Sequence, residues 1–331
     1  MSARVLVLGG TRFIGRAIVG QLVAEGHEVT IVHRGVHEPD DLPEVRHLHS
    51  PRAEWDGLRG ELRTLAPDAV VDCLAMNRDD VQRALAVLPD THLVVISSLD
   101  VYRAFASLQH DLETDAVPID ESSPVRADRQ PAGGRADQHA AYSKLDVEEE
   151  YATRGAVALR VPVTYGEHDE QRREEFVLRR VRAGRPRIPI GAGTLLLTRG
   201  YVRDIARGAS AAALRPATAG EVINLGEQHT WSVRLWAERI AAAAGVAAIF
   251  ETVPDALLPP DMSLTATSLR QHVLASTAKA RALLDYTDTD PLAALQASVT
   301  WHLAHPPDGD GNFAADDTAL VASFTDPGAP A

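Results

Sequence analysis

The fold is decided by residues 3–35, ARVLVLGGTRFIGRAIVGQLVAEGHEVTIVHRG. A short apolar run, Arg4 to Leu8, precedes the glycine pair 9–10, whose conformational freedom permits a sharp turn into a helix. Apolar residues at helical spacing continue towards Gly26, and a second apolar run, Val29 to Val32, follows. A helix that begins directly after such a turn offers free backbone N–H groups and its positive dipole end to a pyrophosphate. The stretch therefore predicts a strand, turn, helix and strand with a dinucleotide site.

The neighbours of the glycines matter, because a glycine turn by itself also occurs in other α/β sheets. Here the preceding strand, the helix and the next strand all stand at the expected distances. VLGGTRFIG resembles the GxxGxxG turn of the extended short-chain dehydrogenase/reductases, the nucleotide-sugar epimerase/dehydratase type. Gly9 and Gly15 match its outer glycines, and Arg12 stands where the middle glycine is expected.

The resemblance implies an α/β fold, a Rossmann-type doubly wound parallel sheet with a smaller C-terminal α+β substrate domain. A length of 331 residues also exceeds the usual single domain. We expect the dinucleotide-binding domain over 1–165, with a segment at about 198–215 returning to it, and the substrate domain over 166–305. The tail 306–331 is rich in Pro, Gly, Asp and Ala, which predicts disorder.

Charge and composition restrict the class of partner. A net charge of −13 and a pI near 5.4 oppose binding to nucleic acid or to an anionic membrane, both of which favour a basic surface. The single cysteine, Cys73, lies in an apolar run and excludes an intramolecular disulfide. No apolar stretch approaches the ~20 residues of a membrane span. These features favour a cytoplasmic enzyme with a small-molecule substrate, and they leave a homodimer open.

The end of the second strand bears on the choice of cofactor. NAD enzymes commonly place an acid there against the ribose hydroxyls, whereas NADP enzymes place a cation against the 2′-phosphate. This chain has His33 and Arg34 at that point and no acid. The planar guanidinium of Arg34 suits a phosphate, and Arg12 offers a second cation. NADP is therefore favoured over NAD, although both arginines also fit an ordinary solvated surface.

The resemblance extends the cofactor site to later strands. The run AVVDCLAM, residues 69–76, predicts a buried parallel strand whose last residues line the cofactor ribose in the family. No metal site is predicted. The expected cofactor contacts are Gly9, Thr11, Arg12, Phe13, Ile14, Gly15, Arg34, Leu74, Ala75, Met76, Ser97, Lys144 and Pro162.

Two further segments resemble the catalytic motifs of the family. ISSLDVYRA, from residue 96, is similar to the SSxxVYG segment and matches its catalytic hydroxyl to Ser98, at the carboxyl end of a strand where ligands collect in open sheets. AAYSKLDVEEEYATRG, from residue 140, resembles the helix of the YxxxK motif. Lys144 and Glu148 reproduce its K-x-x-x-E register, yet the position of the catalytic tyrosine is occupied by Ala140.

Tyr142 is the phenol predicted to replace that tyrosine. It stands two residues before Lys144, about 200° around a regular helix, so both side chains reach one site only if the helix begins at or after Ser143. Tyr102 is the rival phenol. His139 is the alternative acid, because imidazole titrates near neutrality.

Two other segments carry looser expectations. Residues 103–140 show little apolar periodicity and predict a long loop, with part of 126–138 mobile. Further on, a basic cluster either forms a solvated face or binds an anionic substrate group; its members are Arg180, Arg182, Arg185 and Arg187.

These residues predict an NADP-dependent oxidoreductase or epimerase that acts on a hydroxyl or ketone carbon of a small polar, sugar-like or natural-product substrate. Ser98 would hold the substrate oxygen, Lys144 would fix the ribose and lower the pKa of a nearby phenol, and Tyr142 would transfer the proton. Val163 stands where many nucleotide-sugar enzymes have asparagine, which disfavours a nucleotide-sugar substrate. The alternative hypothesis is a cofactor-binding regulator or scaffold with a degenerate site, which Ala140 favours.

Overall fold

The apolar runs become the strands of a parallel sheet in the computed structural model, which describes residues 2–129, 141–309 and 311–325. The strands are β1 (Arg4–Leu8), β2 (Glu28–His33), β3 (Arg46–His49), β4 (Ala69–Asp72), β5 (His92–Ser98), β6 (Val157–Val161), β7 (Val163–Tyr165), β8 (Arg187–Ile190), β9 (Arg199–Tyr201), β10 (Val222–Asn224) and β11 (Ile249–Thr252).

Helices connect and cover these strands. They are α1 (Phe13–Ala24), α2 (Arg59–Leu65), α3 (Arg78–Val87), α4 (Arg103–Gln109), α5 (Lys144–Ala152), α6 (Glu175–Arg182), α7 (Val202–Ala213), α8 (Val233–Ala243), α9 (Ala278–Leu284), α10 (Pro291–Ala304) and α11 (Ala314–Thr325). Short 3-10 turns also occur, among them Leu99–Val101 directly after β5. No helix of the described ranges has the length and apolar character that a membrane crossing requires.

The seven strands of the main sheet lie in the order β10-β6-β5-β4-β1-β2-β3, and every pair is parallel. The connections run outward in opposite directions from β1 and β4, so a crevice opens at the carboxyl ends of these two strands. The predicted doubly wound Rossmann-type sheet is confirmed. Its ligand crevice lies where the glycine turn follows β1.

Alternation along β1 divides the core between the two faces of the sheet. Val5 and Val7 pack with α1 and α7 on one face, whereas Leu6 and Leu8 pack with α3 and α5 on the other. The helix α7 contributes Ile205 to the first face, so the chain returns to the dinucleotide-binding layer after leaving it.

A second apolar cluster forms beyond β6. It joins α6, α8 and α10 with the strand pairs β8–β11 and β7–β9, and it contains Tyr165, Trp236 and Leu295. Most of its members fall within 166–305, the range predicted for the substrate domain, while Tyr165, Tyr201 and Val202 come from the ranges predicted for the first domain.

Two loop expectations are wrong in part. The segment predicted as a long loop begins with α4, and Tyr102 pairs with Val125 in an isolated β-bridge, while 130–140 lie outside the described residues. The tail is not disordered over Ala314–Thr325, since α11 is anchored by Asp316, which accepts a 2.6 Å bond from Nε of the fully buried Arg180. Residues 326–331 lie outside the described ranges.

Candidate active site

The glycine turn brings the backbone of β1 close to the start of α1. Gly9 has a φ of +81°, which favours glycine, and its N–H donates to the Val32 carbonyl at 2.9 Å. A Cβ on Gly15 would lie 3.0 Å from the Gly9 carbonyl oxygen and 3.3 Å from Cα of Gly10. Any side chain at position 15 would therefore force the helix and the turn slightly apart.

The first turn of α1 has the features of an anion-binding site. Its N-cap is Arg12 in an extended conformation, with no side chain bonded to the N-terminal amides, and the turn contains no acid. Thr11 is buried, and Phe13 and Ile14 are half-buried. Uncapped amides and the positive dipole end are the features that bind phosphate at a helix N-terminus.

The two arginines proposed for the 2′-phosphate have different surroundings. Arg12 donates to Glu170 at 2.6 Å in an exposed ion pair, so its charge is already compensated. Arg34 is exposed at the end of β2 and makes no ion pair with any described residue. The nearest acid in sequence, Glu38, lies 2.6 Å from Nε2 of His49. Arg34 is thus the better placed of the two cations.

The segment after β4 is held by a buried carboxylate. Asp72 accepts the backbone N–H groups of Leu74 and Ala75 at 2.7 and 3.1 Å. Its other oxygen accepts the hydroxyl of Tyr151 at 2.5 Å, and burial and Asp72 both hold the pKa of that phenol well above its usual range. These bonds fix the backbone of residues 74–76 at the carboxyl edge of the sheet, where the cofactor ribose was predicted.

Lys144 joins this segment to the neighbouring strand. Its buried Nζ donates to the carbonyl of Ala75 at 2.6 Å and to that of Ile96 at 2.8 Å. The preceding N–H of Ser143 donates to the Met76 carbonyl at 2.8 Å. The structure therefore brings Lys144 to the residues that were predicted to share the ribose site with it.

The helix α5 begins where Tyr142 requires. Its first residue is Lys144, and Ser143 is its N-cap, with a hydroxyl that accepts the Asp146 N–H at 3.2 Å. Tyr142 therefore precedes the helix, and its buried hydroxyl donates to Oδ2 of Asp100 at 2.6 Å. The late helix start is confirmed. His139 and Ala140 lie outside the described residues.

The two serines at the end of β5 have separate tasks. The half-buried Ser98 caps the turn after the strand, since its Oγ accepts the Asp100 N–H at 3.2 Å. Ser97 is buried and donates its hydroxyl to Glu148 at 2.5 Å, and Glu148 in turn accepts two bonds from Arg160. The Ser97 hydroxyl is therefore engaged within this buried group, and the contact of Ser97 with the cofactor stays a prediction.

Tyr102 is held away from these groups. It is fully buried, its hydroxyl donates to the side-chain oxygen of Asn224 at 2.8 Å, and the Arg160 guanidinium lies 4.7 Å above its ring. Burial raises the pKa of this phenol. Tyr102 therefore has a structural position and is not the alternative proton donor.

Asp100 and Arg126 are site residues that the sequence did not identify. Asp100 bonds both Ser98 and Tyr142, and its carbonyl accepts Nε of the buried Arg126 at 3.1 Å. Burial lowers the pKa of the Arg126 guanidinium, while Asp100 and Tyr142 act in the opposite direction. Asp100 interrupts the apolar pattern of ISSLDVYRA, which was the available signal.

The remaining predicted positions lie outside this group. Pro162 is buried between β6 and β7 and packs beside Gly200 and Gly226. The basic cluster is not free to bind an anion, because each of its arginines is paired with an acid; the pairs are Arg180–Asp316, Arg182–Glu175, Arg185–Asp317 and Arg187–Glu251.

Comparison with known proteins places this site in context. Residues 5–226 match the model of the NAD dependent epimerase/dehydratase family. A putative epimerase from Burkholderia cenocepacia superimposes with a TM-score of 0.72 at 21% identity, covering 92% of this chain and 99% of that one. For a UDP-glucose-4-epimerase from Stenotrophomonas maltophila with bound NAD and formylated UDP-arabinopyranose, the TM-score is 0.71 at 19% identity, with coverages of 91% and 98%.

A curated relative is more similar in sequence over a shorter range. The chloroplast stem-loop binding protein of 41 kDa b from Arabidopsis thaliana is 28% identical over a 220-residue match that covers 61% of this chain. The match spans 53% of that protein, about half of its length.

The close contact at Gly15 can be tested against a second glycine of the same helix. In Gly15→Ala the new methyl group pushes the turn away from α1, so we expect both NADPH and NADH to bind roughly tenfold more weakly, a loss of about 1.4 kcal/mol. Gly20→Ala is the matched control, since no atom lies within 4 Å of its added Cβ. It should bind both cofactors normally and gain up to about 1 kcal/mol of stability. Equal affinities of the two variants in titration calorimetry would contradict the assigned turn.

Proposed function

Because the chain belongs to the NAD dependent epimerase/dehydratase family, with the fold and the nicotinamide cofactor that this membership implies, we propose that it is an NADP-dependent oxidoreductase or epimerase. Its substrate would carry a hydroxyl or ketone on a small polar, sugar-like or natural-product skeleton. The observation that carries the proposal is the hydrogen bond of Tyr142 to Asp100, which also bonds Ser98, beside the fixed Lys144.

The residues present fit a nicotinamide dinucleotide. The uncapped amides at the start of α1 suit its pyrophosphate, and the close approach at Gly15 keeps the turn tight. The segment 74–76, held by Asp72 and Lys144, would line the ribose next to the nicotinamide. When bound, the nicotinamide accepts or donates a hydride. The chain must then hold the substrate oxygen and move its proton.

Ser98 and Tyr142 are proposed to perform these two tasks. The Ser98 hydroxyl uses only its acceptor side on the Asp100 N–H among the described residues, so its O–H is available to a substrate oxygen. The Tyr142 oxygen would take the proton of the substrate hydroxyl while its own proton passes to Asp100, with which it is already hydrogen-bonded at 2.6 Å. In the reverse direction the same bonds return the proton to a ketone oxygen. Asp100 thus assists the proton transfer by Tyr142, a task that the family motif would leave to lysine alone.

The preference for NADP rests on Arg34. Its guanidinium is exposed and has no ion-pair partner among the described residues, directly after the strand that ends beside the adenosine ribose in this fold. The neighbouring acid, Glu38, is occupied by His49. A 2′-phosphate would therefore meet a cation at this position.

Two unpaired polar atoms beside Tyr142 support a hydroxylated substrate. Oδ1 of Asp100 and Nη2 of Arg126 are both buried and without a hydrogen-bond partner in the described part of the chain. Such groups are costly when unpaired, so they indicate a ligand that donates to the carboxylate and accepts from the guanidinium. A polyol or a hydroxy acid meets both demands. Val163, in the strand position where asparagine is common, favours this class over a nucleotide sugar.

We propose no nucleic-acid or membrane partner. The Arabidopsis relative carries stem-loop binding in its name. This chain, however, has a net charge of −13, which disfavours binding to the phosphate backbone of a nucleic acid. The expected partner is the small-molecule substrate.

Arg34→Ala tests the cofactor preference. Loss of charge-assisted bonds to a phosphate costs about 1.5–3 kcal/mol, so NADPH should bind roughly ten- to a hundredfold more weakly while NADH is nearly unchanged. Arg46→Ala is the control, because Arg46 is exposed at the opposite end of the adjacent strand β3, where it pairs with Glu61. If Arg34→Ala weakens both cofactors equally in calorimetry, the NADP assignment is wrong.

A pair of phenylalanine substitutions tests the catalytic proton. Tyr142→Phe should lower turnover of a ketone or sugar panel by at least about a hundredfold and leave NADPH binding within a few fold, since general acid–base groups contribute that much. Tyr102→Phe should retain turnover, because its buried hydroxyl bonds Asn224 and neither Ser98 nor Asp100. A near wild-type rate for Tyr142→Phe would show that this phenol is structural. Tight NADPH binding without turnover by the wild-type chain would instead favour the regulator hypothesis.

A further inference from the structure

Three histidines and one glutamate converge at the carboxyl ends of β2 and β3. His33 ends β2, His47 and His49 lie in β3, and Glu38 belongs to the loop between the two strands. One ligand-capable atom of each residue lies within 4.8 Å of those of the other three. No other group of this kind occurs among the described residues.

The distances between these ligand atoms are close to those of a four-coordinate metal site. Nε2 of His33 lies 3.0 Å from Nδ1 of His47, and Oε1 of Glu38 lies 2.6, 3.7 and 3.9 Å from His49, His33 and His47. With metal bonds of about 2.0–2.1 Å, a tetrahedral zinc site places its ligand atoms about 3.3 Å apart. The four measured separations lie on both sides of this value.

The chemistry of the donors points the same way. Three imidazole nitrogens and one carboxylate oxygen are ligands that divalent zinc, cobalt, nickel and copper accept, whereas magnesium and calcium require a set of oxygens. The cluster is also open to solvent at one side, since the His49 side chain is 53% exposed and that of Glu38 is 43% exposed. An ion can therefore enter without unfolding the strands.

We propose that His33, Glu38, His47 and His49 form a binding site for a divalent transition-metal ion of the zinc type. The ion replaces the proton shared between His33 and His47 and ties the loop after β2 to the end of β3. Arg34 lies in this loop, so the metal would also fix the backbone that carries the proposed phosphate ligand. The site is separate from Ser98, Tyr142 and Lys144, so it is a structural centre and not part of the reaction.

Metal binding requires one local change. Nδ1 of His33 lies 3.2 Å from the amide nitrogen of Gly35, an arrangement in which the amide donates. Coordination through Nε2 places the ring proton on Nδ1, and the Gly35 amide must then turn away. Gly35 is exposed and has a φ of +72°, so this turn has room to rearrange.

The test uses the full chain, stripped of metal with a chelator and free of cofactor. Titration with Co²⁺ should saturate at one ion per chain with the intense visible bands of four-coordinate cobalt, and calorimetry should show Zn²⁺ binding at the same stoichiometry. His49→Ala and Glu38→Gln, both at exposed positions, should weaken either ion at least tenfold. His37→Ala is the matched control, an exposed histidine of the same loop outside the cluster, and should bind as the wild type does.

Circular dichroism confirms that each variant is folded before its affinity is compared. Metal affinity unchanged in His49→Ala and Glu38→Gln, or a weak six-coordinate cobalt spectrum, would overturn the proposal. The proposal would also be overturned if no metal bound and His49→Ala weakened the binding of NADPH but not of NADH. The imidazoles would then bind the 2′-phosphate. Because no step requires turnover, a failure here leaves the proposed activity standing, and loss of that activity leaves this proposal standing.

Discussion

The site depends on the two hydrogen bonds that the buried ammonium of Lys144 donates to backbone carbonyls. A charge removed from water is costly unless it is hydrogen-bonded, and Lys144 meets this demand on the carbonyls of Ala75 and Ile96. The first carbonyl lies in the segment after β4 and the second in the adjacent strand β5. One side chain at the start of α5 therefore links the predicted ribose segment to the strand that leads to Ser98. Tyr142 is placed by the same constraint, because it lies two residues before the lysine and must leave the helix to reach Asp100.

The sequence predicted what local patterns determine. Apolar runs and the glycine turn identified the parallel sheet and the start of α1, since period-two burial and glycine torsions are local properties. The two-residue interval between Tyr142 and Lys144 even predicted the late start of α5, because a continuous helix would separate the two side chains. The role expected of Lys144 came instead from the resemblance of its segment to the YxxxK motif of the family.

Hydrogen bonds and ion pairs between residues far apart in the sequence could not be predicted from local patterns. Arg180 and Asp316 are 136 positions apart, so neither the pairing of the basic cluster nor the helix anchored in the tail could be inferred from the composition of either segment. The bond of the Ser97 hydroxyl to Glu148, 51 positions away, was equally outside local patterns. Asp100 and Arg126 likewise come together only through the antiparallel bridge of Tyr102 with Val125, and the histidines only through the parallel register of β2 and β3.

A crystal structure of the chain with NADP⁺ and a hydroxylated substrate analogue tests the proposed active site most directly. We expect the pyrophosphate at the first turn of α1, the ribose next to the nicotinamide beside Lys144, the 2′-phosphate on Arg34, and the analogue's oxygen between Ser98 and Tyr142. A nicotinamide ring bound away from Tyr142, or an analogue that contacts neither hydroxyl, would contradict the proposed active site.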